Sequence, residues 1–278
     1  MERMLERLGC EVYAINNYRD PLFGGSMPEP VGRLLKDLSA EVLRVGADIG
    51  LALDGDADRF GIVDNQGQFV TPNQFGPILL EHLLNTRGFR GPVVRSVATT
   101  HMLDRIADRN EISVIETPVG FKYIGKAMNA RKCILGIEES GGLSISGHIP
   151  EKDGILACCL AVEMLAFARK GLPEICMDFY SKYGRMSSRR VDVQVSQERK
   201  PLLLDELKHY KPHAVAGAKV MYSNDSDGKK ILLENGSWIL VRASGTEPLF
   251  RVYIEAGDEA ALDAIQAEVM NSLGFKGA

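Results

Sequence analysis

The sequence predicts an α/β protein: mixed-sheet α/β domains followed by a smaller α+β domain. Two observations carry this. Over residues 48–169, short apolar strand patterns alternate with stretches of helical periodicity, the order expected of sheet-and-helix units. Beyond residue 190 the pattern changes to strict alternation in Val191-Asp192-Val193-Gln194-Val195, followed by an Asn235-Gly236 hairpin signal and a closing helix. The length of 278 residues leaves room for roughly two or three compact domains.

Taken in order, residues 2–8 read as a helix capped by Gly9, and 10–15 as a short strand. The Pro- and Gly-rich stretch 18–30 reads as an ordered loop, and 29–45 returns to helical periodicity. A buried strand over 48–53 leads into Asp54-Gly55-Asp56-Ala57-Asp58-Arg59, and a second strand over 60–63 is turned by Asn65-Gln66-Gly67. Helices over 74–85, 100–108 and 123–129 then alternate with strands over 92–96, 112–115 and 133–137. The last of these strands ends in Glu138-Glu139-Ser140-Gly141-Gly142, and a long helix spans 154–169. Another helix lies within 172–188, and the polar run 184–190 reads as a domain linker. The remainder holds a helix around 201–208, the hairpin, a strand–loop–strand over 240–255, and a helix over 259–273.

Composition excludes several classes of function. The net charge of −4 is spread along the chain in both signs, so there is no basic footprint for nucleic acid and no polybasic membrane patch. Five cysteines, an odd number without C-x-x-C spacing, fit buried thiols in a reducing compartment. The first residues form a charged amphipathic pattern rather than a signal peptide, and no apolar run approaches the ~20 residues of a membrane span. A cytoplasmic location is expected.

Three loops carry chemistry. Asp54, Asp56 and Asp58 alternate with Gly55 and Ala57 just after a buried strand, a density of hard oxygens that suits Mg²⁺. A calcium EF-hand is excluded, because its sixth and twelfth positions require Gly and Glu where this chain has Arg59 and Asn65. In Glu138-Glu139-Ser140-Gly141-Gly142 a carboxylate and a hydroxyl two residues apart suit a pair of sugar hydroxyls. In Arg242-Ala243-Ser244-Gly245-Thr246-Glu247-Pro248 a polar turn is flanked by Arg242 and Arg251, whose planar donor forks match phosphate oxygens, with Gly245 supplying backbone freedom. Taken singly, each loop also fits a plain solvated turn.

Together and in this order, the three loops resemble those of the α-D-phosphohexomutases, the family of phosphoglucomutase and phosphomannomutase. The resemblance implies Mg²⁺ held by Asp54, Asp56 and Asp58, with Ala57 where the family usually has Gly, and Arg59 reaching toward the transferred phosphate. It implies Glu138 and Ser140 on ring hydroxyls, and phosphate bound by Arg242, Ser244, Gly245, Thr246 and Arg251. Thr117-Pro118-Val119-Gly120-Phe121-Lys122 resembles the loop that chooses sugar orientation, with Gly120 and Lys122 nearest the substrate. His148-Ile149-Pro150-Glu151-Lys152-Asp153-Gly154 resembles the stretch whose lysine enters the active site, making Lys152 a candidate for general acid–base help or charge stabilisation.

The resemblance covers nearly the whole chain and implies three segments: residues 1–68 as part of a second mutase domain with the metal loop, 69–184 as a third domain with the sugar loop, and 185–278 as a C-terminal phosphate-binding domain. The family's phosphate-carrying serine sits in a Thr-Ala-Ser-His-Asn-Pro type of motif, and no such motif occurs in these 278 residues. The expectation is a mutase acting on glucose or mannose phosphates that lacks the phosphoserine domain and is inactive alone. A non-catalytic sugar-phosphate-binding or regulatory protein is the alternative. Phosphoglucosamine is disfavoured as substrate, because that branch usually has His shortly after the Ser of the sugar loop.

Overall fold

Apolar runs closed by tight turns build the strands, and side-chain caps at Thr71, Asp153 and Asp258 start three of the helices. A computed structural model of the chain describes residues 1–245 and 247–275 and divides into two units, Met1–Tyr183 and Gly184–Ala278. The first runs α1 (Glu2–Arg7), α2 (Lys36–Val45), β1 (Ile49–Leu53), β2 (Phe60–Asp64), β3 (Phe69–Val70), α3 (Pro72–Asn85), β4 (Val93–Ser96), α4 (Met102–Arg109), β5 (Val114–Thr117), α5 (Phe121–Arg131), β6 (Leu135–Ile137), β7 (Leu143–Ile145), α6 (Gly154–Ala168) and α7 (Leu172–Tyr183).

Strands β1, β2 and β3 form an antiparallel sheet in that order. A second sheet has the order β5-β4-β6-β7, with β5, β4 and β6 parallel and β7 antiparallel at the edge. Val93, Val94, Leu135 and Ile137 are fully buried, as parallel strands covered on both faces require. Arg95 is the charged exception. Its buried guanidinium donates to both carboxylate oxygens of Asp104 at 2.7 and 2.8 Å and to Glu116 Oε2 at 2.7 Å, so the charge is compensated where it lies. Helix α3 starts at a capping box, in which Gln74 N–H donates to Thr71 Oγ1 at 3.2 Å and Thr71 N–H to Gln74 Oε1 at 2.9 Å. Helix α6 packs against β1, β2 and β7, and so spans the two sheets.

The second unit runs β8 (Ser187–Gln194), α8 (Arg199–His209), β9 (Ala214–Val215), β10 (Ala218–Asn224), β11 (Lys229–Leu233), β12 (Trp238–Ala243), β13 (Leu249–Ala256) and α9 (Glu259–Ser272). Its antiparallel sheet has the order β8-β13-β12-β11-β10-β9. Ile231, Ile239, Val241, Phe250, Val252 and Ile254 turn inward against Leu203 and Leu207 of α8 and Leu262, Ile265 and Val269 of α9. Among the described residues, no helix is long and apolar enough to cross a membrane.

Several expected elements differ. Residues 10–15 form no strand: Tyr13 is 53% exposed, and among the described residues no strand pairs with this segment to take up its backbone groups. The helix expected over 29–45 begins only at Lys36, after a 3₁₀ turn at Gly32–Leu34. The run 184–190 is not all linker, since Ser187 to Arg190 pair with Ala256 to Tyr253 of β13. Its arginines suit an exposed strand because Arg189 reaches Asp263 at 2.6 Å and Glu259 at 2.8 Å on α9. Strands β3 and β7, two and three residues long, fall below the length at which alternation is visible.

Phe250 is fully buried at the centre of the second core. Phe250→Ala is expected to cost about 3–5 kcal/mol. A urea titration followed by fluorescence of Trp238, the chain's single tryptophan and a buried residue of the same unit, measures it. A loss under about 1 kcal/mol contradicts the assigned packing.

Candidate functional site

Residues 54–59 close the β1–β2 hairpin, with Leu53 paired to Phe60 at the base. Asp54 N–H donates to Arg59 O at 3.3 Å, Arg59 N–H to Asp54 Oδ1 at 3.0 Å, and Ala57 N–H to Asp54 O at 3.2 Å. This curl puts Ala57 at φ +62°, in the left-handed region that a Cβ disfavours, which is why Gly would sit there more easily. One oxygen each of Asp54, Asp56 and Asp58 lies within 4.8 Å of the others. Asp54 is buried, Asp58 half-buried and Asp56 exposed.

Their mutual repulsion is offset by two protein cations. Arg59 Nε lies 2.9 Å from Asp54 Oδ2 and 3.7 Å from Asp58 Oδ1, and Lys152 Nζ is ion-paired with Asp58 Oδ2. The Arg59 contacts are ion pairs without hydrogen-bond alignment, so the buried Asp54 Oδ2 and Asp58 Oδ1 accept no hydrogen bond. Burial pushes the Asp54 carboxyl above the usual carboxylate range, opposed by the Arg59 N–H and reinforced by Asp58. Buried, unsatisfied carboxylate oxygens converging at this spacing fit a hard divalent cation.

The β6–β7 turn lies beside this loop. Glu138 N–H donates to Gly142 O at 2.9 Å, and the buried Glu138 carboxylate accepts from Gly120 N–H at 2.8 Å. Gly120 caps α5 beyond the end of β5, so Gly120 and Glu138 meet at the C-terminal edge of the parallel strands, where α/β sheets place ligands. Burial raises the Glu138 carboxyl, against the pull of Gly120 N–H, Lys152 and Arg59. Ser140 is exposed at the turn.

Two close approaches lock this arrangement. Gly154, the first residue of α6, donates its N–H to Ala57 O at 3.0 Å, and a Cβ there would come within 2.5 Å of Arg59 O. A Cβ on Gly142 would come within 2.7 Å of Lys152 Cδ, so the bare glycine leaves the path along which Lys152 runs to Asp58. Asp153 caps α6 by accepting Leu156 N–H at 2.9 Å and also holds His148 Nε2 at 2.9 Å, which fixes the chain around Lys152. Lys122 does not lie in a loop, as expected, but in the first turn of α5, exposed, with Nζ 4.9 Å from the centre of the Tyr123 ring.

In the second unit, Arg242 and Arg251 face each other across β12 and β13. Like charges in register repel, and each is compensated by an acid: Arg242 Nε donates to Asp227 Oδ1 at 2.8 Å and Arg251 Nη2 to Glu247 Oε2 at 2.8 Å. Arg251 Nε is buried without a partner. Ser244 is buried, and its Oγ accepts Glu247 N–H at 3.2 Å, so this hydroxyl braces the turn. The backbone freedom expected of Gly245 is not used: its φ is not positive, and a Cβ there would meet nothing within 4 Å. Thr246 lies outside the described residues. Asp227 and Lys200, which donates to Ser244 O at 2.8 Å and Glu247 O at 3.0 Å, escaped the sequence reading because both reach the loop from distant segments.

The first unit thus brings together Asp54, Asp56, Asp58, Arg59, Gly120, Glu138 and Lys152, and the second carries Arg242, Ser244, Gly245 and Arg251. Three family models match: phosphoglucomutase/phosphomannomutase α/β/α domain II at residues 1–67, domain III at 71–183, and the C-terminal domain at 191–272. The chain is similar to a phosphoglucomutase/phosphomannomutase of Thermococcus kodakarensis, 34% identical over 92% of this chain and 54% of that protein. It is also similar to a phosphoglucosamine/phosphogalactosamine mutase of Sulfurisphaera tokodaii, 32% identical over 91% of this chain and 54% of that one. A crystal structure from Thermus thermophilus superposes with a TM-score of 0.81 at 31% identity, over 98% of this chain and 57% of that chain. The Paramecium phosphoglucomutase parafusin in its open form superposes with a TM-score of 0.72 at 28% identity, over 91% of this chain and 50% of that one. The chain spans about half the length of the curated relatives it matches.

The raised Glu138 carboxyl gives a pH dependence of defined sign. Its contribution to stability is fully present below the ordinary carboxyl pKa of 4.5 and is lost as pH rises through the higher folded value. Glu138→Gln keeps an oxygen for Gly120 N–H and removes the charge. The melting temperature of the variant minus that of the parent is therefore expected to increase from about pH 4 to 7. A flat difference contradicts the assigned burial.

Proposed function

This chain belongs to the phosphoglucomutase/phosphomannomutase family, and from that premise we propose that it serves phosphoryl transfer between C1 and C6 of a hexose phosphate, glucose or mannose, through a bisphosphate intermediate. The observation that carries the proposal is the convergence of the three-carboxylate loop, Arg59, Lys152 and Glu138 within the first unit. We assign residues 1–68 to the metal loop's domain, 69–184 to the sugar loop's domain and 185–278 to the phosphate loop's domain. The change of sheet after β3 and the division after Tyr183 support these limits.

Each group then has a role its surroundings favour. Asp54, Asp56 and Asp58 hold Mg²⁺, which when bound would draw charge from the phosphoryl oxygens. Arg59, anchored on Asp54, directs its remaining donors toward a phosphoryl group. Glu138, fixed by Gly120 N–H, accepts from one ring hydroxyl, with Ser140 beside it for the next. Lys122, exposed in the first turn of α5 two residues after Gly120, is assigned to the substrate side of the same loop. Lys152, ion-paired with Asp58 and acting on the Glu138 carboxyl, steadies charge or moves a proton at the reacting oxygen. In the second unit Arg242, Ser244, Gly245, Thr246 and Arg251 take the phosphate that is not being transferred. The phosphate itself has to be passed by a hydroxyl that is not among these 278 residues, so this chain binds substrate without completing the transfer.

A coupled assay converting glucose 1-phosphate to glucose 6-phosphate, with Mg²⁺ and catalytic glucose 1,6-bisphosphate, tests the proposal alongside calorimetric binding of glucose, mannose and glucosamine 1-phosphates. The expected result is binding of the glucose or mannose ester, no turnover, and a loss of affinity of about tenfold or more in Arg242→Ala, the scale of a charge-assisted hydrogen bond. Turnover at roughly one per second or faster overturns the assignment of the nucleophile elsewhere. Preference for the glucosamine ester overturns the substrate.

The ion pair of Lys152 with Asp58 occupies an oxygen that the metal would use. Lys152→Met is accordingly expected to tighten binding of Mn²⁺, read by the electron-spin resonance of the free ion, by about fivefold. Unchanged or weaker binding shows that Lys152 does not compete for the loop.

A further inference from the structure

We propose that Lys200 is a positioning residue for anion binding by the β12–β13 turn, an inference that rests on the reading of that turn as the phosphate site. Lys200 stands in the first turn of α8, its N–H bonded to Ser196 O at 3.1 Å. Leu203 and Leu207 of the same helix are buried in the core, so the origin of its side chain is fixed. Its ammonium donates to Ser244 O at 2.8 Å and to Glu247 O at 3.0 Å, two carbonyls on opposite sides of the turn. One cation with three donors therefore ties both ends of the turn to α8.

The consequence follows from the peptide bond. No peptide of the described chain is cis. In a trans peptide the N–H of one residue points away from the carbonyl that precedes it. Holding Ser244 O toward Lys200 therefore turns the Gly245 N–H to the opposite side. At Glu247 the same hold turns no donor, because the next residue is Pro248. Among the described residues, three other backbone donors of the turn are used internally: Ser244 N–H on Leu249 O at 2.9 Å, Glu247 N–H on Ser244 Oγ at 3.2 Å, and Leu249 N–H on Glu247 O at 2.9 Å. Gly245 is exposed, which leaves the donor that Lys200 orients on the solvent side for an anion to reach. The ammonium also withdraws charge from the 244–245 peptide, which makes that N–H a better donor.

The test uses the whole 278-residue chain, with glucose 1-phosphate titrated calorimetrically and inorganic phosphate followed at the Gly245 amide by ¹H–¹⁵N NMR. The parent, Lys200→Met, Lys200→Arg and Arg242→Ala are compared. The expected outcome is that Lys200→Met binds about fivefold or more weakly with an unchanged Trp238-detected unfolding midpoint, and loses the phosphate-induced Gly245 shift, while Lys200→Arg restores both. If Lys200→Met binds like the parent while Arg242→Ala loses binding, Lys200 has no such role and the phosphate site stands. If affinity falls only in step with the folded fraction, its role is structural alone, and the inference is wrong. If the parent does not bind, or Arg242→Ala binds like the parent, the turn is not the phosphate site and both readings fall.

Discussion

Three carboxylates confined to one hairpin turn repel each other, and the turn, Arg59, Lys152 and the start of α6 hold them in spite of that. The turn is closed by its own bonds between Asp54 and Arg59, and then pinned from outside by Gly154 at the start of α6. Because α6 packs on both sheets, the position of the acidic turn relative to the β6–β7 turn is set by one rigid helix. A side chain at residue 154 would force the two apart, since a Cβ would sit 2.5 Å from the Arg59 carbonyl. The strain of Ala57 in the left-handed region is tolerated for the same reason: its carbonyl is needed in the direction of Gly154 N–H.

Much of this was legible in the residues themselves. The strand before Asp54, the turn at Asn65-Gln66-Gly67 and the Asn235-Gly236 hairpin are local signals, and local signals survive folding because they depend on the backbone of a few neighbours. The strand expected over 10–15 failed because a strand exists only with a partner, which a sequence window does not show. The same limit hid the opposite error at Ser187 to Arg190, where polar residues became strand because β13 pairs with them and α9 neutralises Arg189. At the β12–β13 turn, composition pointed to Gly245 as a backbone device, whereas the observed turn is held by Ser244 Oγ and by Lys200, 44 residues away. Spacing along the chain carries no trace of that contact, nor of Asp227 on Arg242.

Both charged loops share a property that bears on how either meets a ligand. In each, the charges are already answered from within the chain: Arg59 and Lys152 on the aspartates, Asp227 and Glu247 on the arginines. An uncompensated cluster of this density would cost several kcal/mol in a partly buried setting, so the internal counter-ions allow each loop to be preformed. The consequence is that an incoming ion exchanges partners rather than filling a bare field, and the net gain is the difference between two ion pairs. What that exchange leaves for discrimination is geometry: Asp54 Oδ2 and Asp58 Oδ1 are ion-paired with Arg59 yet accept no aligned hydrogen bond, and Arg251 Nε donates none, so an ion gains most where it meets these atoms in the right direction. Specificity in such loops therefore resides less in the total charge than in the few polar atoms that the internal partners leave unmatched.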